Sequence, residues 1–276
     1  MKKRIIICIM LFVNFYSILY AQNFKGHVEK FFIQEPNQSL RVGETLKFKA
    51  EWLGVPVGYV VLKVVEIVKI NNRDCYHITA EAMPNRYLRR IVDLEYKVHT
   101  YIDTQSLYPL RFEKIRRMKN EYNHVVIDFD QEKHEAIYKD EGSAGTKIIS
   151  PVQGEITVNK PPTNKIENET QDLLSSFYYF RLLKIKENSL HSMNIYYGRR
   201  NWKIDFKVEE PFSRDLYRKG TFTVFKVTPS SELNNFILGK RNFSIFFTAD
   251  SYRIPIEFRF STGIGAIRCL IQEIPR

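Results

Sequence analysis

Side chains able to do chemistry are plentiful in this chain, and their spacing decides what they can do. The six histidines are His27, His77, His99, His124, His134 and His191. A zinc site needs three or four convergent ligands, so His77, His99 and His124 could build one only if strand register brought them onto one face. Nothing in the spacing requires that, and we expect separate surface or cross-strand histidines, with no metal and no other cofactor. Serine, histidine and aspartate all occur, yet no nucleophile elbow or glycine-rich phosphate cradle frames any of them. Asp128 and Asp130 share one strand face, with Phe129 on the other, whereas paired acid and base chemistry works across a cleft. They read as turn-flanking carboxylates, and no catalytic residue is assigned.

The cationic groups are the next candidates. Arg86, Arg89 and Arg90 form one cluster, and Lys114, Arg116, Arg117 and Lys119 another. Side by side they would make an anion-binding face for a lipid headgroup, a phosphate or an acidic glycan. The preferred reading is a solvated strand face and a loop, because charge runs are usually soluble surface. A third group interleaves Arg199, Arg200 and Lys203 with Tyr196, Tyr197 and Trp202, a mixture suited to a glycan or a protein interface. In DLLSSFYYFR, Tyr178, Tyr179 and Arg181 could enter a ligand cavity, although a helix this apolar reads first as a plug against a sheet. A buried Arg181 would need a carboxylate, and Asp250 and Glu257 are the expected partners.

The segments that must position these groups are mostly strands. The chain opens with MKKRIIICIMLFVNFYSILYAQ, a basic start and a short apolar run closing on Ala21, which reads as a secretory signal spanning residues 1–21. Cys8 lies too early in that run for a lipidation site. Removal of the signal takes three positive charges and lowers the net charge from +11 to +8. An exported basic chain meets anionic headgroups and surface glycans, not nucleic acid. No later segment is apolar enough to span a bilayer, so membrane contact would be peripheral. Cys75 and Cys269 survive processing and could pair in an oxidising compartment, or stand as separate core residues.

Residues 22–276 read as one β-rich domain. GETLKFKAEW alternates Leu46, Phe48, Ala50 and Trp52 with charged residues, and YVVLKVVEIVKI is strongly β-branched. LGVPVG between them is a turn in which Gly54, Pro56 and Gly58 set the backbone path, while Trp52 and Val60 are expected to cover the core beside it. Antiparallel strands continue over 43–140, and residues 141–169 lose periodicity and form a connection with one short edge strand. The period changes to that of a helix over 170–185, where Thr170 or Asp172 can cap, and alternation returns over 193–274. The expected fold is mainly β, an antiparallel barrel-like, curved-sheet or sandwich structure with one packed helix at about 171–184.

These motifs, in this order, resemble a known family. Gly43-Glu44 with Trp52, Gly54, Pro56 and Gly58 comes first, then Asp172-Leu173-Leu174-Ser175 running into Tyr178-Tyr179-Phe180-Arg181. Gly220-Thr221-Phe222 follows, and then Asp250 with Arg253-Ile254-Pro255 and Gly265. From about Gly43 to the C-terminus the chain is similar to an exported bacterial family, domain of unknown function 3108. It departs from that pattern at Phe246-Phe247-Thr248, where a Trp-type residue is expected, and at Lys186-Glu187-Asn188, where a glycine is. The resemblance implies an exported, β-rich protein and carries no catalytic residues with it.

The functional expectation is therefore a non-enzymatic envelope protein that binds an apolar or amphiphilic molecule or a partner protein, since a sheet closed incompletely around a helix leaves a concave apolar interior. The alternatives are an envelope glycan hydrolase or modifier whose acid and base meet only in the fold, and a structural assembly component of the envelope.

Overall fold

The computed structural model describes residues 32–90, 93–118, 121–140, 163–216, 219–229, 243–262 and 265–274. The signal-like segment, Lys119 and most of the aperiodic connection lie outside these residues.

Alternation becomes strand as expected. The first run is β1 (Thr45–Trp52), β2 (Val55–Ile70), β3 (Arg73–Pro84), β4 (Leu94–Asp103), β5 (Pro109–Met118), β6 (Glu121–Asp130), β7 (Glu135–Asp140) and the short β8 (Thr163–Lys165). Each pairs antiparallel with the next. The segment PNRYLRR, open between helix and loop, contains a single 3-10 turn over Leu88–Arg90. Helix α1 (Leu173–Leu182) follows. The second run is β9 (Leu190–Tyr197), β10 (Arg200–Val208), β11 (Phe212–Leu216), β12 (Gly220–Pro229), β13 (Phe243–Thr248), β14 (Pro255–Thr262) and β15 (Gly265–Ile271). The last strand returns to the first, Phe48 facing Ile271 and Trp52 facing Ile267, so the two runs form one sheet in the order β8 to β1, then β15 to β12, then β10 and β9, with β11 beside β12.

Among the described residues the ladder does not close. The edges β8 and β9 instead meet through side-chain amides: Asn164 donates to the Tyr196 hydroxyl at 2.7 Å and to the Arg199 carbonyl at 3.0 Å, and Asn201 donates to the Lys165 carbonyl at 2.7 Å. Those contacts cover edges that would otherwise offer bare backbone to another chain. Curvature comes from register shifts at Ala50/Glu51, Val64/Glu66, Tyr101/Ile102 and Phe246/Phe247, each adding a residue on one strand and bending it. Of the barrel-like, curved-sheet and sandwich alternatives, the described residues form the curved one, an open curled sheet wrapped about α1.

Two turns at opposite ends of β2 are built alike and filled differently. Both are two-residue hairpin loops with positive φ at both positions, the geometry that matches strand twist. Between β2 and β3 stand Asn71 (φ 47°) and Asn72 (φ 65°), a residue type that tolerates this region. Between β1 and β2 stand Leu53 (φ 50°) and Gly54 (φ 83°). Further along β2, Gly58 is buried where a Cβ would lie 2.4 Å from the Met83 carbonyl oxygen, so β2 and β3 reach this spacing only without a side chain.

Candidate ligand-binding site

Helix α1 is fixed at both ends by charged side chains: its own cap Asp172 at the start, and Glu44 and Arg253 from distant parts of the chain at the end. Asp172 caps it, accepting from the Leu174 and Ser175 amides at 2.7 and 2.8 Å, while the Ser175 hydroxyl accepts from the Asp172 amide at 2.8 Å. The other Asp172 oxygen accepts from the Thr100 hydroxyl of β4 at 2.5 Å, which ties the helix start to the sheet. Complete burial pushes this carboxyl up to about 6, against the pull of those hydrogen bonds. At the far end Arg181 makes a two-pronged pair with Glu44, at 2.6 and 2.8 Å, and both side chains are buried. Arg253, buried on the β13–β14 turn, donates to the carbonyls of Leu183 and Gln34 and so closes the helix C-terminus. Asp250 shapes that turn by accepting from the Tyr252 and Arg253 amides, both at 3.0 Å.

Held in this way, α1 stands over a cavity of about 370 Å³. The helix contributes Leu173, Leu174, Phe177 and Phe180, β2 contributes Val60 and Leu62, and β13 and β14 contribute Phe243, Ile245, Phe247, Phe258 and Phe260. Ile195, Phe206, Val227, Ser176 and Cys269 complete the wall. Among the described residues no charged side chain lines it, and the Ser176 hydroxyl is turned back to the Leu173 carbonyl at 2.9 Å. Its size falls within the range of small-molecule sites, about 300–1,000 Å³, and its wall can recognise a ligand only by apolar contact.

The sequence-predicted site residues fall elsewhere. Tyr178 is wholly buried, its ring 5.4 Å from the Arg181 guanidinium, on the face of α1 turned from the cavity. The expected carboxylates for Arg181 are both otherwise engaged. Asp250 caps its turn, and the fully buried Glu257 accepts from Arg214, Arg259 and Arg268. Glu44 takes the place because it immediately precedes β1 and faces the helix end. Trp202 donates its indole N–H to the Tyr197 carbonyl at 3.1 Å, Tyr196 is buried, and the Arg199 guanidinium lies 5.3 Å from the Tyr138 ring, so this group helps to join the sheet edges.

Arg86, Arg89 and Arg90 are exposed, and the turn that carries them leads into β4, whose first residue Leu94 faces Met118 beside Arg116 and Arg117. The two clusters thus reach the same end of the sheet. Arg116 lies 3.6 Å from Glu121 and Arg117 3.7 Å from Glu95, which partly offsets their charge. Trp52 is 39% exposed instead of covering the core: it is the last residue of β1, beside the Leu53–Gly54 turn and beyond the buried Leu46 and Phe48.

Register gathers the three strand histidines on the face opposite the core. His77 and His99 are hydrogen-bonded at 3.0 Å, and His124 meets Glu113 at 2.6 Å, with Glu113 directly across from His99. Among the described residues, however, no group of three or more His, Cys, Asp or Glu is placed to hold a metal. Asp128 binds Arg111 and Lys139, while Asp130 accepts from the Lys133 amide in the β6–β7 turn.

The disulfide alternative is corrected. Cys75 and Cys269 are free and buried, and burial pushes each thiol up to about 11. The ladder row Cys269, Ala50, Gly58, Pro84 puts Cys269 level with the far end of β3 from Cys75. That offset is on the order of 30 Å along the strand, against the roughly 7 Å limit between Cα atoms in a disulfide.

The profile of a family described as a protein of unknown function, DUF3108, matches residues 47–272. The chain belongs to the DUF3108 family. In this DUF3108 chain the residues that carried the resemblance are the ones that secure the frame. Glu44, Asp172, Arg181, Asp250 and Arg253 fix α1, and the glycines form turns or close strand contacts. No curated protein matches it. Among solved structures it is similar to a beta-barrel-like protein of domain of unknown function DUF1849 from Brucella abortus, at 8% identity and a TM-score of 0.48, over 84% of this chain and 96% of that one. Sequence reasoning missed the cavity-lining phenylalanines as a group. Their signal was the phenylalanine density of FSIFFT and PIEFRF, which periodicity alone assigns to packed core.

Proposed function

We propose that this protein is an exported, non-enzymatic binder of an apolar or amphiphilic molecule of the cell envelope, whose apolar part enters the cavity beneath α1. The cavity carries the reading, because about 370 Å³ of space is kept open by a helix anchored through its other face, and the described residues of its wall hold no charge. An acyl-type chain is the chemical class such a wall accepts, each buried Å² contributing about 25 cal/mol. The basic, apolar leader of the first 21 residues supports export.

The test is organic extraction of the purified protein followed by mass spectrometry, and titration of the extracted protein with a fluorescent fatty acid. We expect lipid in the extract and saturable uptake of the probe. Val60→Phe, which adds volume on the cavity wall, should weaken uptake about tenfold with no loss of melting temperature. Empty extracts together with no probe uptake would overturn the reading.

A further inference from the structure

The β1–β2 hairpin tip carries large apolar side chains in solvent. Leu53 is 65% exposed and Val55 62%, with Trp52 beside them. Leu53 also occupies a left-handed position that costs a side chain with a Cβ roughly 1–2 kcal/mol, where Asn71 fills the equivalent place at the other end of β2. Leu53 leans on one side against Gly265, where a Cβ would lie 2.7 Å from its Cδ2, yet most of the side chain stays in solvent, and turn geometry does not call for a leucine here.

Its surroundings are cationic. Asn85 ties the neighbouring turn to the tip, its amide donating to the Val57 carbonyl at 2.9 Å and its side chain to the Pro56 carbonyl at 2.6 Å. That turn presents Arg86, Arg89 and Arg90, all exposed, with Tyr87 63% exposed among them. On the other flank Arg259 faces Arg268, which faces Glu51, one residue before Trp52. These two arginines share the buried Glu257 with Arg214, three guanidinium groups around one carboxylate, so positive charge remains in excess. Apolar side chains projecting between arginines match the surface of an anionic bilayer, with acyl chains beneath and phosphates above. No helix among the described residues is long and apolar enough to cross a membrane.

We propose that the β1–β2 tip, with the Arg86–Arg90 turn beside it, docks peripherally on an anionic lipid bilayer, Leu53, Val55 and Trp52 entering the headgroup boundary and the arginines meeting phosphates. The cavity lies close to this end, since Phe260 in its wall shares a ladder row with Ile267 and Trp52. The docking surface stands on the tip alone and does not rest on what the cavity holds.

The test is co-sedimentation of the exported form, from Gln22 onward, with vesicles of phosphatidylcholine alone and of an equal mixture with phosphatidylglycerol. The wild type should pellet with the mixed vesicles only, and less as salt rises. Leu53→Asn suits the turn, so it should hold or raise the melting temperature while weakening vesicle binding about tenfold. Arg89→Ala and Arg90→Ala should each weaken it about fivefold. Val60→Phe should leave vesicle binding unchanged, which separates this proposal from the reading of the cavity. Equal pelleting with both vesicle types, pelleting with neither, or wild-type binding by Leu53→Asn in a folded state would overturn it.

Discussion

The two faces of helix α1 are held by opposite kinds of force. One carries Arg181, paired with the buried Glu44 through two charged hydrogen bonds beside the Tyr178 ring, and the helix end is closed by Arg253. The other presents Leu173, Phe177 and Phe180 to open space. Apolar packing alone would draw a helix down until such a gap closed, because an unfilled cavity costs about 24 cal/mol per Å³. Directional bonds at both helix ends resist that collapse. Substitutions on the anchored face should therefore reach ligand uptake only through stability, whereas those on the open face should change uptake without it.

The largest expected effect breaks the anchored face. Glu44→Ala leaves the Arg181 guanidinium buried without its carboxylate and should cost about 3–5 kcal/mol, read by denaturant unfolding. Gly58→Val comes next. Its Cβ meets the Met83 backbone behind the cavity wall, and a loss of about 3 kcal/mol is expected, with any uptake by the folded fraction retained.

A third effect is a pH dependence carried by Asp172. Its carboxyl is raised from 3.8 to about 6 in the folded chain. The resulting stability is fully present below pH 3.8 and is lost as pH rises through about 6, by an amount on the order of 3 kcal/mol. Melting curves for wild type and Asp172→Asn should therefore converge or cross between pH 4 and 7, and a constant difference between them would contradict the assignment. The smallest effect is at Tyr178, whose buried hydroxyl has no hydrogen-bond partner. Tyr178→Phe should stabilise by about 1 kcal/mol and sharpen the contrast by showing that this face depends on the ion pair and not on the phenol.

Much of the frame was readable from local pattern. Alternation located the strands, the helical period narrowed the cap to Thr170 or Asp172, and the glycine and proline positions of LGVPVG located a hairpin, because period and turn chemistry are properties of neighbouring residues. Arg181 was recognisable as a buried cation needing a carboxylate, but its partner was not. Glu44 lies 137 residues earlier, and only the return of β15 to β1 brings the start of the sheet under the end of the helix. The cavity escaped for a similar reason: Phe177 and Phe180 have the same spacing whether they fill a core or border a void.

By itself, then, the sequence determined a family, a run of antiparallel strands about one capped helix, and which residues alternate onto each face. Tertiary structure alone decided that the sheet curls without closing, that Cys75 and Cys269 lie apart, that Trp52 projects into solvent and that a cavity remains beneath α1. The physical reason is that faces follow from the period of a single strand. Closure, pairing and empty volume depend on strand register and bulges summed across the whole sheet, where one shifted residue redirects every side chain beyond it.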